Sequence, residues 1–231
     1  MLRGAELERL TRLGGLLLLG STALVNLAVL TRGPSAQEKV GGKLVDRDEE
    51  AAPAQSTKGL ASANLWSALI CLIAAGFYVE LNGQHMGLSL STVRNLDWLI
   101  TCPLLALEMS ALLGASLAAP EAIFAAAASA VMVLIGWGER MDACRLLLGF
   151  GALGIVATSL RSLARRKRST EQNRGLVAFF FSLWLLYGLV AALRSVDAIT
   201  GVWAAVSFNV LDSGSKALFG MAVAYLALGT T

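Results

Sequence analysis

The stretch RNLDWLITCPLLALEMSALL, residues 94–113, decides how this sequence is read. A helix needs about 20 apolar residues to cross a bilayer, and most of this run qualifies. Yet it holds two acids, Asp97 and Glu108, with no basic residue between them. A charged side chain at bilayer depth costs roughly 2.5–3.5 kcal/mol on insertion scales, so such residues persist when they are paired, hydrated or functional. On a helix, eleven positions bring Asp97 and Glu108 within about 20° of one face and about 16 Å apart along the axis. Arg94 lies one turn before Asp97, and Thr101 one turn after it. A polar line of Arg94, Asp97, Thr101 and Glu108 therefore runs down one side.

The surrounding sequence has the same character. Of 231 residues, 56% are hydrophobic and 15% charged, against about 25% charged in a soluble domain. The charges bunch in the first 12 positions, in 31–58 and in 161–174, which leaves long apolar runs between them. Those runs predict seven helices at roughly 13–30, 60–80, 93–114, 119–138, 143–162, 175–194 and 199–228. The expected fold class is all-α, a seven-transmembrane-helix bundle forming a single domain over 1–231. Short connections make sequential helices antiparallel neighbours. The Gly-, Pro- and charge-rich stretch at about 31–58 is expected to be a long solvated loop. The first apolar run lacks an Ala-x-Ala cleavage pattern and is long for a signal peptide, so it is read as a membrane helix.

Lysine and arginine orient the bundle. Arg161, Arg165, Arg166, Lys167, Arg168 and Arg174 crowd one loop, and Arg32, Lys39, Lys43, Arg47 and Lys58 another on the same side. By the positive-inside rule that side is cytoplasmic, with the N-terminus outside and the C-terminus in the cytoplasm. The cluster RSLARRKR, 161–168, is read as this anchor, and no nucleic-acid partner is expected. Cys71, Cys102 and Cys144 show no CxxC spacing and are read as small buried hydrophobes, and His85 as a loop residue, so no metal site is expected.

The seventh helix carries Asp212 and Lys216 at i and i+4, again on one face. A lone membrane acid or lysine is commonly a packing ion pair. Here two acids and a lysine converge at one depth, with a third acid displaced inward. That set suits a proton path with a cation in its middle. A lysine amine can also condense with an aldehyde to give a Schiff base.

The residues Arg94-Asn95-Leu96-Asp97-Trp98-Leu99-Ile100-Thr101-Cys102-Pro103-Leu104-Leu105 resemble the third helix of the microbial (type 1) rhodopsins. Leu211-Asp212-Ser213-Gly214-Ser215-Lys216 resembles their seventh-helix retinal-attachment motif, Trp184-x-x-Tyr187 their sixth-helix aromatic pair, and Tyr78 their second-helix tyrosine. The resemblance implies all-trans retinal held by Lys216 as a protonated Schiff base. Asp97 would be its counterion and proton acceptor, Asp212 the second counterion, and Arg94 would hold the outer side. Trp98 and Trp184 would sandwich the chromophore, with Tyr187, Tyr78 and Leu105 lining its site. Thr101 would hydrogen-bond Asp97, and Glu108, kept protonated by its apolar surroundings, would be the proton donor. Asp97, Thr101 and Glu108 form the triplet of proteorhodopsin-like outward proton pumps. The resemblance thus implies a light-driven pump of protons rather than an enzyme. It also implies a multi-pass protein in the lipid bilayer of the plasma membrane, and a homo-oligomer, pentamer or trimer.

Some positions depart from the family pattern. Gly188 stands where a proline is usual and Ala191 where a bulky aromatic is common, so a looser pocket floor is expected. Phe77 replaces a frequent histidine beside Tyr78. Ala204 occupies one place where an early-release acid is sought, leaving Asp197 and Glu80 as candidates. Leu105 goes with green absorption. Gly151 and Gly154 are expected to allow close helix packing, the alternative being that they shape the ring end of the pocket. The rival reading is a photosensory receptor with a slow photocycle that signals to a partner protein. A light-gated channel and a retinal-free transporter are further alternatives.

Overall fold

The computed structural model describes residues 4–31, 57–83, 87–137, 141–166 and 171–229. Seven helices follow one another: α1 Gly4–Thr31, α2 Thr57–Gly83, α3 Leu90–Leu112, α4 Pro120–Ile135, α5 Ala143–Arg166, α6 Glu171–Ser195 and α7 Gly201–Gly229. No strand occurs among the described residues. The loop expected at about 31–58 lies, except at its ends, outside the described residues, as do His85, Lys167 and Arg168.

Several helices outrun their apolar cores. The first begins at Gly4 and not near 13, because backbone hydrogen bonding does not stop where hydropathy does. Its first turns are held by the i,i+4 pair Arg12–Glu8, 3.4 Å apart, and by Thr11 Oγ1 donating to the Glu8 carbonyl at 2.8 Å. Likewise α5 and α6 carry their charged ends, Arg165, Arg166 and Glu171, as helix. The third helix starts under Ser89, whose hydroxyl accepts from the Thr92 N–H at 3.2 Å. It is followed by Gly114, whose φ of +79° turns the chain towards α4.

The helices pack in sequence order and the ring closes where α7 meets α1 and α2; the α5–α6 contact is thin. The distribution of side chains is the reverse of a soluble protein. Asp97, Thr101, Glu108, Asp212, Lys216, Asn26 and Asn64 are buried, while Leu17, Leu147, Phe124 and Trp203 face outward. Among the described residues, α1, α2, α5 and α6 are each long and apolar enough to cross a membrane. The ionisable residues sit on α3 and α7, and α4 is shorter, at 16 residues.

An apolar exterior gains nothing by leaving hydrocarbon, so close packing and internal polar bonds hold such a bundle together. Gly15 of α1 shows this. A Cβ there would stand 2.5 Å from the Tyr78 ring and 3.1 Å from Ser213 Cβ. Tyr78 cannot swing away, since its hydroxyl donates to the Asn209 carbonyl at 3.0 Å. By contrast Gly151 and Gly154, expected at helix contacts, are exposed, and a Cβ at either would meet nothing within 4 Å. They look outward from α5 and bring no helix closer. Cys71 is buried as expected, but Cys144 at the start of α5 is exposed.

Gly15→Val should lower stability by about 1–3 kcal/mol through overpacking against Tyr78. Titration of the purified protein with a denaturing detergent measures the shift, and Gly151→Val serves as the neutral control.

Candidate functional site

Residues from α3 and α7 meet at the centre of the bundle. Lys216 Nζ lies 2.8 Å from Asp97 Oδ2 and 2.8 Å from Asp212 Oδ1. All three residues are 3% exposed or less. The α7 pair comes from helical spacing alone, whereas Asp97 reaches Lys216 from α3, across the centre of the bundle. The carboxylates are not equivalent. Trp98 Nε1 also donates to Asp212 Oδ1, at 2.9 Å, so this oxygen takes two donors. Asp97 Oδ1 is buried with no hydrogen-bond partner. Thr101 does not reach it: its hydroxyl donates to the main-chain carbonyl of Asp97, at 2.9 Å. A helix hydroxyl bonded back to its own i−4 carbonyl is in its ordinary place, so the expected contact to the carboxyl group is not made.

Arg94 is likewise placed as expected but partnered otherwise. Its Nη2 donates to Asn209 Oδ1 at 3.1 Å, and its guanidinium lies 5.9 Å from the Phe208 ring centroid. Asn209 also accepts Tyr78 at its carbonyl and donates from Nδ2 to Thr11 Oγ1 at 3.3 Å. One asparagine thus ties α1, α2, α3 and α7 together on the Arg94 side of Lys216. Neither Asn209 nor Phe208 was singled out in the sequence. Their spacing of three and four before Asp212 put them on the same helix face, and that was the available signal.

A cavity of about 170 Å³ runs from Lys216 between α3, α4, α5, α6 and α7, lined by Asp212, Trp98, Leu105, Trp184 and Tyr187 among others. Trp98 packs edge-on against Tyr187 at 5.5 Å and Phe208 at 5.3 Å. Trp184 packs against Phe180 and Phe181, so the two indoles stand on different walls of one space. Tyr187 shares a hydrogen bond of 3.2 Å with Ser215, beside Lys216. The looser floor expected at Gly188 is not found. A Cβ there would lie 2.7 Å from the ring of Phe150, so α5 supplies the bulk that α6 lacks.

Glu108 lies further along the same face of α3, fully buried, with neither carboxyl oxygen hydrogen-bonded. Ser67 of α2 faces it. Of the candidate outer acids, Glu80 is buried on α2, and Asp197 is exposed in the α6–α7 turn, paired with Arg194 at 3.1 Å.

Residues 52–230 match the family model for bacteriorhodopsin-like proteins. The chain belongs to that family. It is therefore a multi-pass membrane protein of a family that binds retinal and includes light-driven ion pumps. No curated protein sequence matches it. Solved structures share its fold at low identity. Viral rhodopsin OLPVRII superposes with a TM-score of 0.74 at 19% identity, over 97% of this chain and 99% of that one. The light-driven proton pump LR (Mac) from Leptosphaeria maculans gives 0.67 at 17%, over 97% of each. Halorhodopsin, a light-driven chloride pump, gives 0.65 at 17%, over 96% of each. One fold thus serves pumps of oppositely charged ions, so the fold alone does not name the ion.

The residues of this bacteriorhodopsin-like chain fit retinal. They provide a buried primary amine, carboxylates on two sides of it to balance a cationic linkage, and an aromatic-walled cavity that begins at the amine. Lys216→Ala should leave Asp97 and Asp212 buried together without their cation, costing about 3–5 kcal/mol. The detergent titration of the retinal-free protein detects this. The same variant should carry no covalently bound retinal after denaturation.

Proposed function

We propose that this protein is a light-driven outward proton pump of the plasma membrane, with Asp97, Thr101 and Glu108 as its working triplet. The observation that carries this reading is Glu108: a fully buried carboxyl group with no ion-pair partner, on the face of α3 that also bears Asp97, and on the other side of Lys216. Orientation follows from charge. Arg161, Arg165, Arg166 and Arg174 all lie at the Glu108 end, which makes that end cytoplasmic and the N-terminus external.

When bound to Lys216, all-trans retinal supplies light absorption and an isomerisation that reorients the proton-bearing Nζ. The remaining work belongs to the chain. Asp97 Oδ2, at 2.8 Å from Nζ, is within direct proton-transfer reach. The proton would land on Oδ2, whose one hydrogen bond is the one to Nζ, and Oδ1 has no bond to lose. Asp212 is held in place by Trp98, whose Nε1 donates to the same oxygen that faces Nζ. The carboxyl proton of Glu108 then resupplies Nζ from the inner side. Leakage between the two halves is resisted by buried apolar groups. Phe219, one turn inward of Lys216, packs on Phe180 at 4.8 Å, and Phe180 on Trp184 at 5.5 Å. With the halves so separated, the chain keeps the proton given up on the Asp97 side from returning to the Glu108 side.

Illuminated cells that express the chain and are supplied with retinal should acidify their medium, and a protonophore should abolish the change. Asp97→Asn should stop the acidification. Glu108→Gln should slow recovery of the dark absorbance after a flash by about a hundredfold, the lower range for loss of a positioned proton donor. Coloured cells that never change the pH would overturn pumping in favour of a signalling role.

A further inference from the structure

The inner half of the bundle contains a second group of buried polar residues, away from Lys216. Along α2, Asn64, Ser67, Cys71 and Tyr78 recur at three- to seven-residue steps on one buried face. At its inner end this stripe meets Thr22 and Asn26 of α1 and Gly220 of α7. Thr22, Asn26, Asn64 and Ser67 are each 2% exposed or less. Asn64 Nδ2 donates to the Asn26 carbonyl at 3.0 Å, and Asn26 Nδ2 to the Thr22 carbonyl at 2.9 Å. A Cβ at Gly220 would stand 3.0 Å from Ser67 Oγ, 3.3 Å from Asn26 Nδ2 and 2.9 Å from the Thr22 methyl. Glycine is what lets these polar groups gather there.

The group is incompletely satisfied. Asn26 Oδ1, Asn64 Oδ1 and both carboxyl oxygens of Glu108 are buried without hydrogen-bond partners. In hydrocarbon each such acceptor costs several kcal/mol unless met. A buried water takes about three hydrogen bonds to groups of this kind. The order Glu108, Ser67, Asn26, Asn64 leads from the middle of the inner half towards the ends of α1 and α2, which reach Thr31 and Thr57 at the inner face. On α3 itself the turns beside Glu108 carry Leu105, Met109 and Leu112, all buried and apolar.

We infer that Glu108 is resupplied with protons along the α1–α2–α7 seam, through a water-bearing track positioned by Ser67, Asn26 and Asn64. The inference rests on Glu108 being the donor. The asparagines act as positioning residues: their amides hold water in line and do not themselves ionise. Gly220 sets the width of the track at its narrowest point.

The test uses the full chain with retinal, reconstituted in lipid. Asn26→Leu and Asn64→Leu keep side-chain size but remove the polar groups. Each should slow recovery of the dark absorbance after a flash at least about tenfold, leave the dark spectrum unchanged, and be restored to wild-type rate by azide, a small carrier of protons. A merely structural effect would not respond to azide. If Glu108→Gln slows recovery while both asparagine variants recover at wild-type rate, the seam is overturned and the donor stands. If Glu108→Gln itself recovers at wild-type rate, the donor assignment fails and takes the seam with it. Should the leucine variants not fold, the unaltered protein decides. The infrared C=O band of Glu108, identified by its loss in Glu108→Gln, should shift within minutes of transfer to D₂O in the dark. A band unmoved after a day would overturn the track.

Discussion

Everything in this molecule answers to one constraint: a lysine ammonium, fully withdrawn from water, held between two carboxylates 2.8 Å away on either side. Removing charges from water is costly, and mutual attraction repays that cost only with close geometry and further hydrogen bonds. The structure meets both conditions. Trp98 gives Asp212 a second donor, and Arg94, one turn from Asp97, brings the central set to two cations and two anions. Arg94 is in turn fixed by Asn209, which also receives Tyr78 and reaches Thr11. Four helices are thereby registered around one charge cluster.

The two carboxylates of that cluster are bonded unequally. Asp212 Oδ1 takes two donors, whereas Asp97 Oδ1 takes none, the Thr101 hydroxyl being spent on the backbone. In the proposed pump, that free oxygen marks Asp97 as the carboxyl group better placed to change its bonding. Glu108, equally buried but far from any cation, stands on the opposite side of Lys216. Trp184, Phe180 and Phe219 form a continuous apolar aromatic contact between α6 and α7. The same arrangement explains why fold alone does not name the ion: relatives with this bundle include both a proton pump and a chloride pump.

Outside the charge cluster, the bundle coheres by contact and not by exclusion from water. Leucines and aromatics face outward, so little free energy comes from hiding them. Close approach at Gly15 and Gly220, and cross-helix polar bonds such as Asn64 to Asn26, do more of the joining. Gly188 shows the same economy of space, since the Phe150 ring fills what a larger residue on α6 would occupy.

Helices, their order, and the placing of Asp97, Glu108, Asp212 and Lys216 were legible in the sequence. Bilayer length and helical periodicity are local properties, and an ionisable residue inside an apolar run announces itself. The sequence by itself also determined that Asp212 and Lys216 meet, since i and i+4 share a face. Only the tertiary structure decided what lies opposite them. That Arg94 binds Asn209 and not an aspartate, that Thr101 turns to its own backbone, and that Phe150 fills the space at Gly188 depend on distances between helices. So does the gathering of Ser67, Asn26 and Asn64 beside Gly220. No spacing along one helix encodes such distances, because they are set by the joint packing of all seven.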